Sequence, residues 1–260
     1  MSDVWEAIIL AAGFGTRLKG HISLPKPVIR VFGLPLIAYS MASLRASGVE
    51  KFYVVVNEHN ANHVEEVVSK ADVDVELVVN TRPELGNGYS LLVGMEHVKG
   101  ERFYVSMSDH IYTPDIPQSL GNPCDADVAV CVDSNPRLVD EEEATRVLVD
   151  RGLVLDIGKG LENYTHVDAG VMAMSVGMYD AYTRYVSEDC VNELSSLIRN
   201  AVLDGFRVVA VDVSGAPWVD MDRIDDIRRV ELEASWFIRE LHERLKPYIQ
   251  PFIEEERGFH

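Results

Sequence analysis

Gly13 and Gly15 separate a short apolar run from two cations in the stretch AIILAAGFGTRLKGHISLPKP, Ala7 to Pro27. A loop without Cβ atoms lets backbone N–H groups approach an anion closely. Arg17 and Lys26, the latter held between Pro25 and Pro27, add fixed positive charge beside it. That combination reads as a cradle for a triphosphate. The simpler alternative is a strand-to-helix turn whose glycines only relieve strain, but it leaves both cations unexplained in a chain of net charge −18. Two neighbouring motifs are excluded. The dinucleotide fingerprint needs a third glycine where Leu18 stands, and the Walker loop needs a Gly-Lys-Ser/Thr ending that is absent.

Carboxylates supply the other half of such a chemistry. Asp109 follows the apolar run Phe103–Met107, and a carboxylate at the carboxyl end of a central strand faces the ligand crevice of an open α/β sheet. A turn or helix N-cap role is open to it as well. His110 beside it reads as a histidine bonded to backbone, with no part in catalysis. In WVDMDRIDD, Trp218 to Asp226, the alternation of an extended strand puts Asp220 and Asp222 on one side. Asp225 and Asp226 suit the N-terminus of the helix that follows. Lys159, between Gly158 and Gly160, is a third cation, equally readable as a solvated surface lysine. An anionic protein that binds an anionic nucleotide needs local cations and a metal, which points to Mg²⁺ beside Arg17 and Lys26.

LAAGFGTRL followed by PKP resembles the signature of the sugar-1-phosphate nucleotidyltransferases, Leu-x-x-Gly-x-Gly-Thr-Arg-Leu with a downstream Pro-Lys-Pro. The resemblance extends over about residues 5–232, dense at four motifs and loose between them. It implies that Leu10, Ala11, Ala12, Gly13, Gly15 and Thr16 wrap the nucleotide, while Arg17 and Lys26 stabilise charge as the α-phosphate is attacked. It places the nucleobase along Glu84–Ser90, against Gly86, Asn87 and Ser90, although Asn87-Gly88 alone would read as a turn. It implies Mg²⁺ on Asp109 and Asp222, with Asp220 the next choice. Lys159 would meet the acceptor's phosphate, and Asp168 and Gly170 would line the acceptor pocket. The Glu84–Ser90 segment and Ser108-Asp109-His110 resemble the forms of the inositol-1-phosphate cytidylyltransferases within this family. That implies cytidylyl transfer from CTP to inositol-1-phosphate, giving CDP-inositol for phosphodiester solutes. A hexose-1-phosphate uridylyl- or thymidylyltransferase is the runner-up. A catalytically silent, nucleotide-binding regulator is the alternative from another class.

The elements that must position these residues follow from composition and periodicity. The 260 residues, 47% hydrophobic and 25% charged, suffice for one sizeable α/β core. The acidic balance argues against nucleic-acid binding. No apolar run is long enough to span a bilayer, and MSDVWEAIIL has no basic region or cleavage site, so a cytoplasmic protein is expected. Cys124, Cys131 and Cys190 lack ligand spacing and read as core thiols in a reducing compartment. Apolar strands at Ala7–Leu10, Phe52–Val56, Val73–Val79, Phe103–Met107 and Ala126–Val132 alternate with helices at Leu36–Ala46, Asn62–Lys70 and Leu91–Val98. This alternation predicts a doubly wound, mostly parallel, Rossmann-like sheet with helices on both faces. Arg228–Leu245 is expected as one amphipathic helix, broken by Lys246-Pro247. The expected organisation is a nucleotidyltransferase domain over 1–232 and a C-terminal helical extension over 233–260. The expected partners are CTP and a phosphorylated cyclitol or sugar, not nucleic acid. A homodimer, and hand-over of the product to a membrane synthase, are compatible with the resemblance.

Overall fold

A computed structural model describes residues 6–15, 24–121, 126–140, 142–187 and 189–253; Thr16, Arg17 and Cys124 lie outside them. In chain order, β1 (Glu6–Leu10) precedes a small hairpin of β2 (Arg30–Val31) and β3 (Leu34–Pro35). Then come α1 (Leu36–Ala46), β4 (Lys51–Asn57), α2 (Ala61–Val68), β5 (Asp74–Asn80), α3 (Asn87–Met95) and β6 (Arg102–Met107). Next are β7 (His110–Tyr112), α4 (Asp115–Leu120), β8 (Val128–Asp133), β9 (Arg146–Asp150), β10 (Leu153–Gly158) and β11 (His166–Ser175). The chain continues through α5 (Tyr179–Tyr185), α6 (Leu194–Leu203), β12 (Val208–Asp212), β13 (Trp218–Asp220), α7 (Ile224–Glu233) and α8 (Ser235–Ile249).

The main sheet has the strand order β5-β4-β1-β6-β11-β8-β12-β10-β9. Strands β5, β4, β1 and β6 run parallel to one another, as helical crossovers require. Strand β12 joins β8 in parallel, while β11 is inserted antiparallel between β6 and β8. The reversal comes from the hairpin β9–β10, whose turn residues Arg151 and Gly152 both have positive φ, 48° and 77°. Alternate residues of β1 feed the two sides of the sheet. Ala7 and Ile9 enter a cluster with apolar residues of α1, α2, α4, α7 and α8. Ile8 and Leu10 enter another with residues of α3, α5 and α6. The fold is an α/β nucleotidyltransferase architecture with helices on both faces.

Four local expectations change. Helix α3 starts at Asn87, not Leu91, because Gly86 takes φ 94° and turns the chain into it. The stretch 228–245 is two helices, joined at buried Ala234 with φ −129° and ψ 17°. Pro247 does not end α8 but sits inside it, two residues before its end at Ile249. Phe237, Ile238, Leu241 and Leu245 of α8 pack in the same cluster as Ala7 and Ile9. Cys131 is buried, but Cys190 is exposed, lying in the connection between α5 and α6.

Candidate active site

The glycine loop leaves the carboxyl end of β1 and is held from below by two asparagines. Asn57 Nδ2 donates to the Ala12 carbonyl at 2.8 Å, and Asn60 Nδ2 donates to the Ala11 carbonyl at 2.8 Å. Asn57 Oδ1 accepts the N–H groups of His59 and Asn60, and Asn60 Oδ1 accepts that of Asn57. Both side chains are buried. These positioning residues were missed in the sequence. The available signal was the polar pair of VNEHN at the carboxyl end of an apolar strand adjacent to β1.

Lys26 crosses from the loop to two carboxylates, 2.5 Å from Asp109 Oδ2 and 2.5 Å from Asp222 Oδ1. Burial works against its ammonium, but Asp109, Asp220 and Asp222 overcome that and hold its pKa above the ordinary lysine value. Burial likewise opposes the Asp109 carboxylate. Lys26 and His110 outweigh it and keep Asp109 well below the usual carboxylate range. The antiparallel pairing of β7 with β13 sets His110 opposite Asp220. Its Nδ1 lies 3.0 Å from Asp109 Oδ1 and 3.8 Å from Asp220 Oδ1.

The expectation that His110 bonds only to backbone is therefore corrected: its ring nitrogen engages carboxylates. Burial lowers its pKa, but Asp220 and Asp109 prevail and push it up to about 9. The ring stacks on Trp218 with centroids 5.9 Å apart, and Trp218 Nε1 donates to buried Asp133 at 2.8 Å. Gly170, with φ 74°, covers the ring; a Cβ there would come within 2.4 Å of it. This explains why HVDAGV needs glycine at 170.

Asp109, Asp220 and Asp222 converge as oxygen donors. Asp220 Oδ1 is buried without a hydrogen-bond partner, and burial and the neighbouring carboxylates raise Asp220 to about 6. An orphaned buried oxygen among carboxylates fits a hard divalent cation. Asp109, His110 and Asp220 also bring ligand atoms within 4.8 Å of one another. His110 is the least suited of them, since an imidazolium has no lone pair to give.

Two cavities meet here. The first, about 290 Å³, is lined by Leu10, Ala11, Ala12, Gly13, Gly15 and Lys26, and also by Gly86, Asn87 and Ser90. The second, about 170 Å³, is lined by Asp168, Gly170, Glu193, Ser195, Trp218 and Asp220 among others. Asn87, Asp109, Lys159 and Asp222 belong to both. Lys159 is exposed at that junction. Asp168 Oδ1 accepts the Gly170 N–H, while burial pushes the carboxyl up to about 6.

The base-side residues are more committed than their types suggest. Asn87 Oδ1 accepts the Leu194 N–H at 2.8 Å, so only its Nδ2 remains to a ligand. Ser90 Oγ accepts from Asn80 Nδ2 at 3.0 Å and donates to the Gly86 carbonyl. Glu193 and Ser195 were not anticipated, and nothing in their local sequence marks them.

Comparison with known proteins shows which family the chain resembles. Residues 7–214 match the MobA-like NTP transferase domain. A "Bifunctional IPC transferase and DIPP synthase" of Rubrobacter xylanophilus is 39% identical over 227 residues, 86% of this chain and 51% of that protein. One of the same name from Archaeoglobus fulgidus is 34% identical over 224 residues, 86% of this chain and 42% of that protein. The chain thus spans about half the length of these curated relatives. The solved inositol-1-phosphate CTP transferase of T. maritima superposes with a TM-score of 0.86 at 30% identity, covering 95% of this chain and 98% of that one.

Proposed function

The chain belongs to the MobA-like NTP transferase family, and on that premise we propose that it transfers a cytidylyl group from CTP to inositol-1-phosphate, releasing pyrophosphate and giving CDP-inositol. The observation that carries the reading is the meeting of two cavities at Asp109, Asp222 and Lys159, one entered from the glycine loop and the other ending at Asp168. The substrates follow from the likeness to the inositol-1-phosphate CTP transferase of T. maritima.

A phosphate oxygen of the acceptor attacks the α-phosphorus as the bond to the bridging oxygen breaks, and pyrophosphate leaves with that electron pair. A phosphomonoester is largely dianionic at neutral pH, so no general base is required. Catalysis is then positioning and charge neutralisation. Leu10, Ala11, Ala12, Gly13, Gly15 and Thr16 wrap the nucleotide. Lys26 presents its ammonium to the phosphates, and Arg17 joins it by the family signature. Gly86, Asn87 and Ser90 border the base. Lys159 holds the incoming phosphate, and Asp168 and Gly170 border the acceptor's ring of hydroxyls. Asp109, Asp222 and Asp220 would hold Mg²⁺, which when bound supplies further neutralisation of the reacting phosphates. Residues 1–232 form the transferase unit in this reading, with 233–260 as its extension. The setting is cytoplasmic and the product enters compatible-solute synthesis; a homodimer and transfer of the product to a membrane synthase complete the picture. Among the described residues no helix is long and apolar enough to cross a membrane.

Pyrophosphate release with Mg²⁺, measured across a matrix of nucleotides and phosphorylated acceptors, tests this. CTP with inositol-1-phosphate should be the fastest pair. Preference for UTP or dTTP with glucose-1-phosphate would make the protein a sugar-activating member. A folded, nucleotide-binding protein that releases none with any pair would be a regulator.

A further inference from the structure

The wall of the second cavity is fastened to the base segment by a network of neutral hydrogen bonds. Asn192, 5% exposed, donates its backbone N–H to the Leu85 carbonyl at 2.7 Å and accepts the Gly88 N–H at 2.8 Å. Its Nδ2 donates to the carbonyls of Leu85, Ser187 and Cys190, and its Oδ1 accepts the Ser187 N–H. The two segments touch so closely that a Cβ on Gly86 or Gly88 would come within 2.6 or 2.8 Å of the Asn192 carbonyl oxygen. Two residues further on, the Leu194 N–H at the start of α6 donates to Asn87 Oδ1 at 2.8 Å. Glu193 and Ser195, on either side of Leu194, line the second cavity, and Asn87 lines both cavities.

We propose that Asn87 and Asn192 are positioning residues that couple the two substrate sites: the amide of Asn87 that meets the nucleotide through Nδ2 fixes, through Oδ1, the turn carrying Glu193 and Ser195 against the acceptor. The inference rests on reading the two cavities as nucleotide and acceptor sites. The Asn87 amide is planar and its two ends are rigidly linked, so orienting Nδ2 toward a base orients Oδ1 toward Leu194. Bound nucleotide thereby narrows the positions open to Glu193, whose carboxylate can accept from hydroxyls of the acceptor. The coupling is one of ordering: the second ligand meets a wall the first has already fixed.

Asn87 has two substitutions that separate its roles. Asn87→Asp keeps an oxygen for the Leu194 N–H and loses the Nδ2 donor; Asn87→Ala loses both. Both should raise the KM for the nucleotide, but only Asn87→Ala should also raise the KM for the acceptor, by roughly three- to tenfold for one neutral hydrogen bond. The kinetics are run on whichever nucleotide–acceptor pair the parent protein uses, so a wrong substrate assignment leaves the test standing. Hydrogen exchange reads the same contact without turnover. Saturating CTP alone, or the nucleotide that does bind, should slow exchange across residues 189–195 in the parent, but neither in Asn87→Asp, which keeps the Leu194 bond without the link to the nucleotide, nor in Asn87→Ala. Asn192→Ala, checked for cooperative unfolding, should abolish that slowing from the other side. Equal acceptor KM values in the two Asn87 variants, or no nucleotide-dependent slowing in the parent, would overturn the coupling.

Discussion

Two regions of the paired cavities are built from opposite materials. At the junction, Lys26, His110, Asp109, Asp220 and Asp222 bring charge into a part-buried site, and one carboxylate oxygen there has no hydrogen-bond partner. Around the glycine loop and the base segment, Asn57, Asn60 and Asn192 do the holding with neutral amides whose bonds are satisfied. Buried neutral hydrogen bonds add stability and fix geometry, whereas a cluster of like charges stores repulsion that a cationic ligand relieves. The first region therefore trades stability for chemistry, and the second secures position.

The largest effect that can break this contrast lies at the junction. Asp109→Asn and Asp222→Asn should each lower kcat/KM about a thousandfold, roughly 4 kcal/mol of transition-state stabilisation, with cooperative unfolding preserved. Near-full activity in Asp109→Asn would remove that carboxylate from the machinery. If Asp220→Asn is the harsher change, the order of the two later aspartates is reversed.

An amide should behave the other way. Asn57→Ala orphans the Ala12 carbonyl and the N–H groups of His59 and Asn60. A loss of roughly 2 kcal/mol, about 4–8 °C in unfolding temperature, is expected, together with a raised KM for nucleotide. An unchanged melting curve would mean that the loop does not depend on its amide support.

Asp220→Asn sharpens the comparison within the cluster. At neutral pH its carboxylate is ionised against burial and two like charges, with only His110 and Lys26 in its favour. Without metal, neutralising it should raise the unfolding temperature by roughly 2–4 °C while activity falls. A drop in unfolding temperature would show that the His110 attraction outweighs the repulsion.

The smallest effect is a pH slope. Asp168 has its pKa raised from 3.8 to about 6 by burial, so the folded state holds a proton that the unfolded chain has released. Its contribution to stability is thus present below pH 4 and is lost as pH rises to 6. Asp168→Asn should flatten the unfolding temperature across that window by about 2 °C; an unaltered slope would place the proton elsewhere.

Much of the frame could be read in the chain because it depends on local order. The apolar run before Gly13 must be buried, and strands alternating with helices must pair in parallel, so a parallel sheet with the glycine loop at the carboxyl end of its first strand follows from periodicity and chirality, while the order β5-β4-β1-β6 is tertiary. Lys26, Asp109 and Asp222 could be singled out because their types declare charge and because the motifs that carry them resemble those of the nucleotidyltransferases. Their meeting was decided by the tertiary structure, since 83 and 196 residues of sequence separate Lys26 from its two partners. The antiparallel entry of β11, the register that sets Asp220 opposite His110, and the contact of Gly170 with the imidazole are also tertiary. Asn57, Asn60 and Asn192 stayed hidden for a related reason. An asparagine's type gives a donor and an acceptor, but whether they serve a turn, a ligand or a distant strand depends on which backbone groups the fold leaves beside them.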